Sequence, residues 1–157
     1  MTAEIGKPAP DFSLVSSDLK TRGLKDFVGS KTLILFFPGA FTGVCTKEMC
    51  SIRDNISKYN SVKAKVVGIS VDTPFSLAQF AKENGLTFEL LSDANRTVSR
   101  SYGALHENFI NISTLTASKR AAFILDSSGI VRYKWISEDP KVEPDYEKLI
   151  SELGKVS

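Results

Sequence analysis

The sequence predicts one α/β domain with a mixed central sheet flanked by helices, and three observations predict it. Lys31-Thr32-Leu33-Ile34-Leu35-Phe36-Phe37 is a nearly continuous apolar run stopped by Pro38-Gly39, the pattern of a strand covered on both faces. A helix-period stripe and a second apolar run, Lys65 to Val71, come next, and strand, helix, strand in that order implies a right-handed crossover between parallel neighbours. Further on, Ala121–Leu125 and Ile130–Ile136 flank Asp126-Ser127-Ser128-Gly129, which reads as an antiparallel hairpin.

Each element follows from its own residues. After Pro8 and Pro10, Phe12-Ser13-Leu14-Val15 alternates like a half-buried strand, and Asp18 to Gly23 reads as a turn and a second short strand, giving an N-terminal hairpin. Cys45, Met49, Ile52, Ile56 and Tyr59 recur at helical spacing, so a helix is predicted from about Val44 to Asn60, starting at Thr42 or Gly43. Thr73-Pro74 supplies an N-cap and first-turn proline for a helix through about Asn84-Gly85, Phe88 to Leu91 is a short strand, and Asn95 to Tyr102 is a further helix. Ala104 to Lys119 is irregular and is expected to pack near a functional site. Pro144 to Leu153, closed by Gly154, is a terminal helix. This element order is that of a thioredoxin-like fold with an N-terminal hairpin extension, in a single domain spanning residues 1–157.

Bulk properties exclude several classes of function. A chain of 157 residues buries a real core without staples, and 20 basic against 18 acidic side chains leave a net charge of +2. The basic residues form no block of the kind that tracks phosphates or anionic lipid, so neither nucleic acid nor membrane is an expected partner. No window is long and apolar enough to span a bilayer, and the N-terminus lacks a secretory pattern, so the expected location is cytoplasmic. In that reducing compartment the two cysteines, Cys45 and Cys50, are expected to be buried thiols, metal ligands or redox groups rather than a permanent bridge.

Cys45 falls in the first turn of its helix, where unpaired N–H groups and the positive end of the dipole favour an anion. Thr42 and Thr46 stand beside it as hydrogen-bond donors, and Pro38 stiffens the preceding loop. A cysteine in an apolar stripe also reads as ordinary core filling, and the residues alone leave both readings open. Cys50 follows five positions later. In an intact helix that spacing separates the Cα atoms by about 8–9 Å, beyond the roughly 7 Å that a disulfide tolerates. Pairing of these thiols would therefore require the start of the helix to unwind. A metal site fits poorly, since the chain has two cysteines and the single histidine His106, and no cofactor is expected. His106, in the irregular connection, reads as a loop residue, and as the only imidazole in the chain it gives little support to a Cys–His hydrolase.

The stretch Pro38-Gly39-Ala40-Phe41-Thr42-Gly43-Val44-Cys45 resembles the Pro-x-x-x-Thr/Ser-x-x-Cys signature of peroxiredoxins of the AhpC/TSA type. The resemblance extends through GKPAPDFSL near the start, LLSDANRTVSRSYG in the middle and RAAFILDSSGIVRY afterwards, and so covers almost the whole chain. It implies that Cys45 is the peroxidatic cysteine, that Thr42 and Pro38 are its loop partners, that Arg120 is the active-site arginine and that Glu48 supports it. Arginine suits such a site because its planar fork of donors can stabilise a thiolate and hold polarised oxygens.

The implied activity is thiol-dependent reduction of hydrogen peroxide and organic hydroperoxides through a cysteine sulfenic acid. Cys50 matches the resolving position of the Q-type, bacterioferritin-comigratory-like group, whose members close an intrachain disulfide and are recycled by a thioredoxin-like dithiol. The stretch AFTGVCT also resembles one-cysteine relatives, in which an external thiol resolves the sulfenic acid. A general thiol–disulfide oxidoreductase is the alternative from another class, but its two cysteines normally stand two residues apart, a spacing absent here. The assembly expected is a monomer or a homodimer.

Overall fold

The computed structural model describes residues 2–157. The apolar run forms β3 (Lys31–Phe36), parallel to β4 (Ala64–Ser70) and antiparallel to β8 (Arg120–Leu125). Both faces of β3 are covered, which is why it reads as a continuous rather than an alternating apolar stretch. Leu33, Leu35 and Phe37 join one apolar cluster and Ile34 and Phe36 the other. Each buried Leu, Ile or Phe side chain of this kind contributes about 1.5–3 kcal/mol.

The sheet extends outward from that centre in the order β2-β1-β5-β4-β3-β8-β9. On one side, β5 (Glu89–Ser92) is parallel to β4, and the hairpin of β1 (Ser13–Ser16) and β2 (Thr21–Gly23) pairs antiparallel onto it. On the other, β9 (Val131–Ser137) closes the predicted hairpin with β8. Side chains from α1 (Gly43–Asp54), α3 (Pro74–Asn84) and α5 (Tyr146–Gly154) share the cluster that contains Leu33 and Leu35. Val98 of α4 (Thr97–Ser101), with the neighbouring Tyr102, packs on the opposite cluster with Phe12, Phe36 and Phe123. Gly68 in β4 leaves room for side chains of the neighbouring strands: a Cβ there would stand 2.8 Å from Leu90 Cδ2 and 3.2 Å from Phe37 Cε1, while Met49 Sδ of α1 would be in ordinary contact at 3.6 Å.

Three expectations are corrected. The helix expected from Val44 to Asn60 is two, because α1 ends at Asp54 and α2 runs over Ile56–Ser61. Asn55 interrupts them with φ −115° and ψ 17°, and its side-chain amide donates to the Ser51 carbonyl at 2.9 Å, competing with the helical ladder. The irregular segment after Ala104 contains a small ribbon, β6 (Leu105–His106) against β7 (Ala117–Ser118). Its hydrogen bonds run to Arg96, Ser99 and, through Lys119, to Glu138, and none reaches Cys45 or Thr42. The last helix begins at Tyr146 rather than Pro144, with the Asp145 carboxylate accepting from the Lys148 N–H at 3.1 Å as its cap.

Candidate active site

The parallel strands β3, β4 and β5 deliver the segments that follow them to one edge of the sheet, the edge where open α/β sheets bind ligands. The loop after β3 carries Pro38 to Thr42 and leads into α1. Pro38 is buried, and the Phe37 N–H just before it still extends the sheet by donating to Ile69 O at 3.0 Å. Phe41 takes a left-handed φ of +66°, a strained position for a bulky side chain, and its ring packs edge-on against Phe80 at 5.4 Å.

Thr42 is the backbone N-cap of α1, yet its hydroxyl caps no helical N–H. Thr42 Oγ1 donates instead to the Gly39 carbonyl at 2.8 Å. Thr46 Oγ1 and the Thr46 N–H both donate to Thr42 O, at 2.7 and 2.9 Å. The expectation that these two hydroxyls donate toward the cysteine is therefore corrected: both protons are used on backbone carbonyls. At Thr42 the remaining capacity is that of an acceptor. The first-turn N–H groups of Gly43, Val44 and Cys45 receive no side-chain cap, and together with the helix dipole they favour negative charge in this turn.

Cys45 is buried, in the same apolar cluster as Phe37, Met49 and Tyr59. Arg120 is the first residue of β8 and shares its sheet face with Ala122 and Ile124, which belong to that cluster as well. Strand parity thus directs Arg120 toward α1. Its Nη2 donates to Cys45 Sγ at 3.3 Å, its Nη1 to Glu48 Oε1 at 2.8 Å, and its Nε and Nη2 to the Pro140 carbonyl at 3.0 and 2.7 Å. Burial opposes the charge of Arg120, but Cys45 and Glu48 beside it outweigh that penalty and hold its pKa above the ordinary value.

Glu48 lies one turn beyond Cys45 and is fully buried. Its Oε2 has no hydrogen-bond partner. Burial pushes the carboxyl up to about 7 against the attraction of Arg120, with Glu143 adding to the rise. Glu48 and the sulfur share the guanidinium, Nη1 serving the carboxyl and Nη2 the thiol. The nearby cations of α1 are engaged elsewhere: Lys47 pairs with Glu143 and Arg53 with Asp54.

Cys50 sits on the same unbroken helix but faces elsewhere, its Sγ 3.6 Å from Asn84 Oδ1 at the end of α3. Both cysteines are free thiols. Cys45, Arg120 and Glu48 are thus brought together, Thr42 and Pro38 stand in the loop that begins the helix, and Cys50 is held apart. His106 packs edge-on against Phe109, away from these groups. Among the described residues no cluster of three or more His, Cys, Asp or Glu is arranged to hold a metal ion, and no helix is long and apolar enough to cross a membrane. Sequence reasoning missed the Pro140 carbonyl that anchors Arg120 and the Asp72 carboxylate that accepts from the Ala40 N–H at 2.8 Å. The former is a backbone group in a turn and has no side-chain signature. The latter stood in plain view between a strand and an N-capped helix.

Comparison with known proteins places the chain in a family. Residues 5–134 match the AhpC/TSA family. Peroxiredoxin Bcp of Escherichia coli (strain K12) is 32% identical over 148 residues, 94% of each chain. The crystal structure of peroxidoxin BcpB from Mycobacterium tuberculosis superposes with a TM-score of 0.86 at 29% identity, covering 99% of both chains. Xanthomonas campestris peroxiredoxin Q shares the fold, with a TM-score of 0.81 at 24% identity over 92% of this chain and 90% of that one. On a thioredoxin-like fold, then, this chain belongs to the AhpC/TSA family and is a peroxiredoxin, a thiol peroxidase.

Proposed function

We propose that Cys45 is the nucleophile that reduces hydrogen peroxide and organic hydroperoxides, and that Arg120, Thr42 and the first-turn amides of α1 are its catalytic partners. The observation that carries this reading is the guanidinium hydrogen bond to the Cys45 sulfur, 3.3 Å long and wholly buried. A fixed positive charge there stabilises the thiolate, and it needs no reorganisation as negative charge moves from sulfur to oxygen.

In the proposed step the Cys45 thiolate attacks the terminal peroxide oxygen. An S–O bond forms, the O–O bond breaks, and its electron pair leaves on the second oxygen, which takes up a proton to become water or an alcohol. Thr42 accepts from the peroxide hydrogen, since its own proton is committed to Gly39. Arg120 stabilises the departing oxygen, and Glu48 and Pro140 hold the guanidinium in place. Pro38 stiffens the loop and limits water at the sulfur.

The sulfenic acid is then condensed with the Cys50 thiol, releasing water and leaving a Cys45–Cys50 disulfide. That step requires the first turns of α1 to unwind, because the helix is continuous from Gly43 to Asp54. A thioredoxin-like dithiol returns both cysteines to thiols and is itself oxidised to a disulfide. The same continuous helix favours a second reading, in which an external thiol resolves Cys45 and Cys50 stays a spectator. A reducing, cytoplasmic setting suits either cycle, as both need a standing supply of thiol reductant.

The test is intact mass analysis under non-reducing conditions after one equivalent of hydrogen peroxide. Wild type is expected to lose two hydrogens, with Cys45 and Cys50 in one cross-linked peptide. Accumulation of sulfenic acid without that link selects the external-thiol reading. Peroxide turnover surviving in Cys45→Ser rejects both.

A further inference from the structure

The parallel strands bring one more acidic group to this edge. Asp72 lies in the turn between β4 and α3, and its Oδ2 accepts two hydrogen bonds, from the Ala40 N–H at 2.8 Å and from the Ser70 hydroxyl at 2.6 Å. Ala40 shares a peptide unit with Gly39, whose carbonyl accepts the Thr42 hydroxyl at 2.8 Å. No cis peptide bond occurs among the described residues, so the N–H and C=O of that unit point to opposite sides of one rigid plane. Asp72 therefore stands at one end of this peptide and Thr42 at the other.

We propose that Asp72 is a positioning residue for peroxide attack, acting on Thr42 through the Gly39–Ala40 peptide. This inference rests on the proposed roles of Cys45 and Thr42. A carboxylate on the N–H side draws the peptide dipole into line and makes the Gly39 carbonyl a stronger acceptor. That carbonyl in turn holds the Thr42 proton more firmly and fixes the hydroxyl rotor, so the Thr42 lone pairs are presented to the peroxide hydrogen. A free hydroxyl would spend part of its time as a competing donor.

Asp72 is itself anchored to the sheet. Its carbonyl accepts the Ser92 hydroxyl at 2.5 Å, and the Asp93 N–H donates to Ser70 O at 2.7 Å, tying the turn to the end of β5. Ser70, which donates to the carboxylate, is fully buried. The loop it braces has need of such a tie, since Phe41 is held in the left-handed region at φ +66°.

A brace that merely keeps the loop in place would affect every reaction of Cys45. A device acting through Thr42 affects only reactions in which Thr42 accepts a hydrogen. Two rates separate them on the same protein: oxidation by hydrogen peroxide, followed by stopped flow, and alkylation by iodoacetamide, followed by peptide mass spectrometry at Cys45. Asp72→Asn keeps an acceptor but removes the charge, and is expected to slow peroxide oxidation about 3- to 10-fold while alkylation stays within about twofold.

Asp72→Ala is expected to show the same selectivity, with a loss no smaller than that of Asp72→Asn and no larger than that of Thr42→Val. In the Thr42→Val background, adding Asp72→Asn is expected to cost nothing further, because the residue through which it acts is gone. An unchanged peroxide rate in Asp72→Asn, equal slowing of both reactions in both Asp72 variants, or additive losses in the double variant would overturn the proposal. Failure of the underlying functional reading is distinct: wild type itself would then show no rapid reaction with peroxide.

Discussion

The two cysteines share one helix and almost nothing else. Cys45, in the first turn of α1, is enclosed in an apolar cluster and bonded by a buried arginine that is fixed by a carboxylate and a backbone carbonyl. Cys50, five positions on, is half-buried, and its thiol's one hydrogen bond among the described residues goes to Asn84 Oδ1, at 3.6 Å. That contact belongs to a small tie between α1 and the end of α3, where Arg53 Nη1 also donates to Asn84 O at 2.6 Å. The contrast bears directly on the proposal that one helix serves two steps. Around the first sulfur, charged donors and acceptors are arranged before any substrate arrives. Around the second there is a single thiol hydrogen bond, and the opening that a Cys45–Cys50 bond would need falls on the first turns of α1 instead.

Substitutions at the two cysteines and their partners test this contrast, and Cys45 comes first. Cys45→Ser is expected to abolish peroxide consumption, measured with any thiol reductant, because no other group is placed to attack. Arg120→Ala is expected to slow Cys45 oxidation by about 10²–10³-fold, the usual loss when a preorganised donor is removed from a developing charge. It should also slow iodoacetamide alkylation at fixed pH, unlike a substitution acting only on the oxidant. Thr42→Val keeps the shape but removes the acceptor, and about a tenfold loss in the peroxide rate is expected. Cys50→Ser should leave the first oxidation within about twofold of wild type while eliminating the disulfide, since the two sulfurs share no hydrogen bond.

The smallest effect concerns Glu48 and pH. Its carboxyl is raised from 4.5 to about 7 in the folded protein, so between those values the folded state binds more protons than the unfolded one. Stability then falls as pH rises through that window. The contribution is fully present below about pH 4.5 and lost by a little above 7. Glu48→Gln removes the titrating group and is expected to flatten that decline by on the order of 1–3 kcal/mol, read from denaturant midpoints across the window. A slope unchanged by the substitution would place the origin of the pH dependence elsewhere.

The parts of this picture that were legible in the sequence are those written in side-chain pattern. The doubly covered strand Lys31–Phe36, the crossover to Ala64–Ser70 and the hairpin at Asp126 each followed from apolar period and turn residues. The cluster of Cys45, Glu48 and Arg120 could be anticipated only through a family resemblance, because Glu48 and Arg120 stand 72 residues apart and meet by strand pairing and face parity. The break at Asn55 was hidden beneath an apolar stripe whose spacing continues through it, and the one local signal is a side-chain amide able to bond a carbonyl of the preceding turn. Backbone contributions stayed invisible for a plainer reason. The carbonyls of Gly39 and Pro140 act at the site, and a carbonyl is the same in every residue.

The most direct measurement is the rate at which hydrogen peroxide oxidises Cys45 in wild type and in Arg120→Ala. Trp135, the sole tryptophan, packs against the same apolar cluster as Cys45 and offers a stopped-flow fluorescence signal. Wild type is predicted to react at least about 10³-fold faster than free cysteine at neutral pH, with most of that advantage lost in Arg120→Ala. A wild-type rate no greater than that of free cysteine, or a rate indifferent to Arg120, would contradict the account.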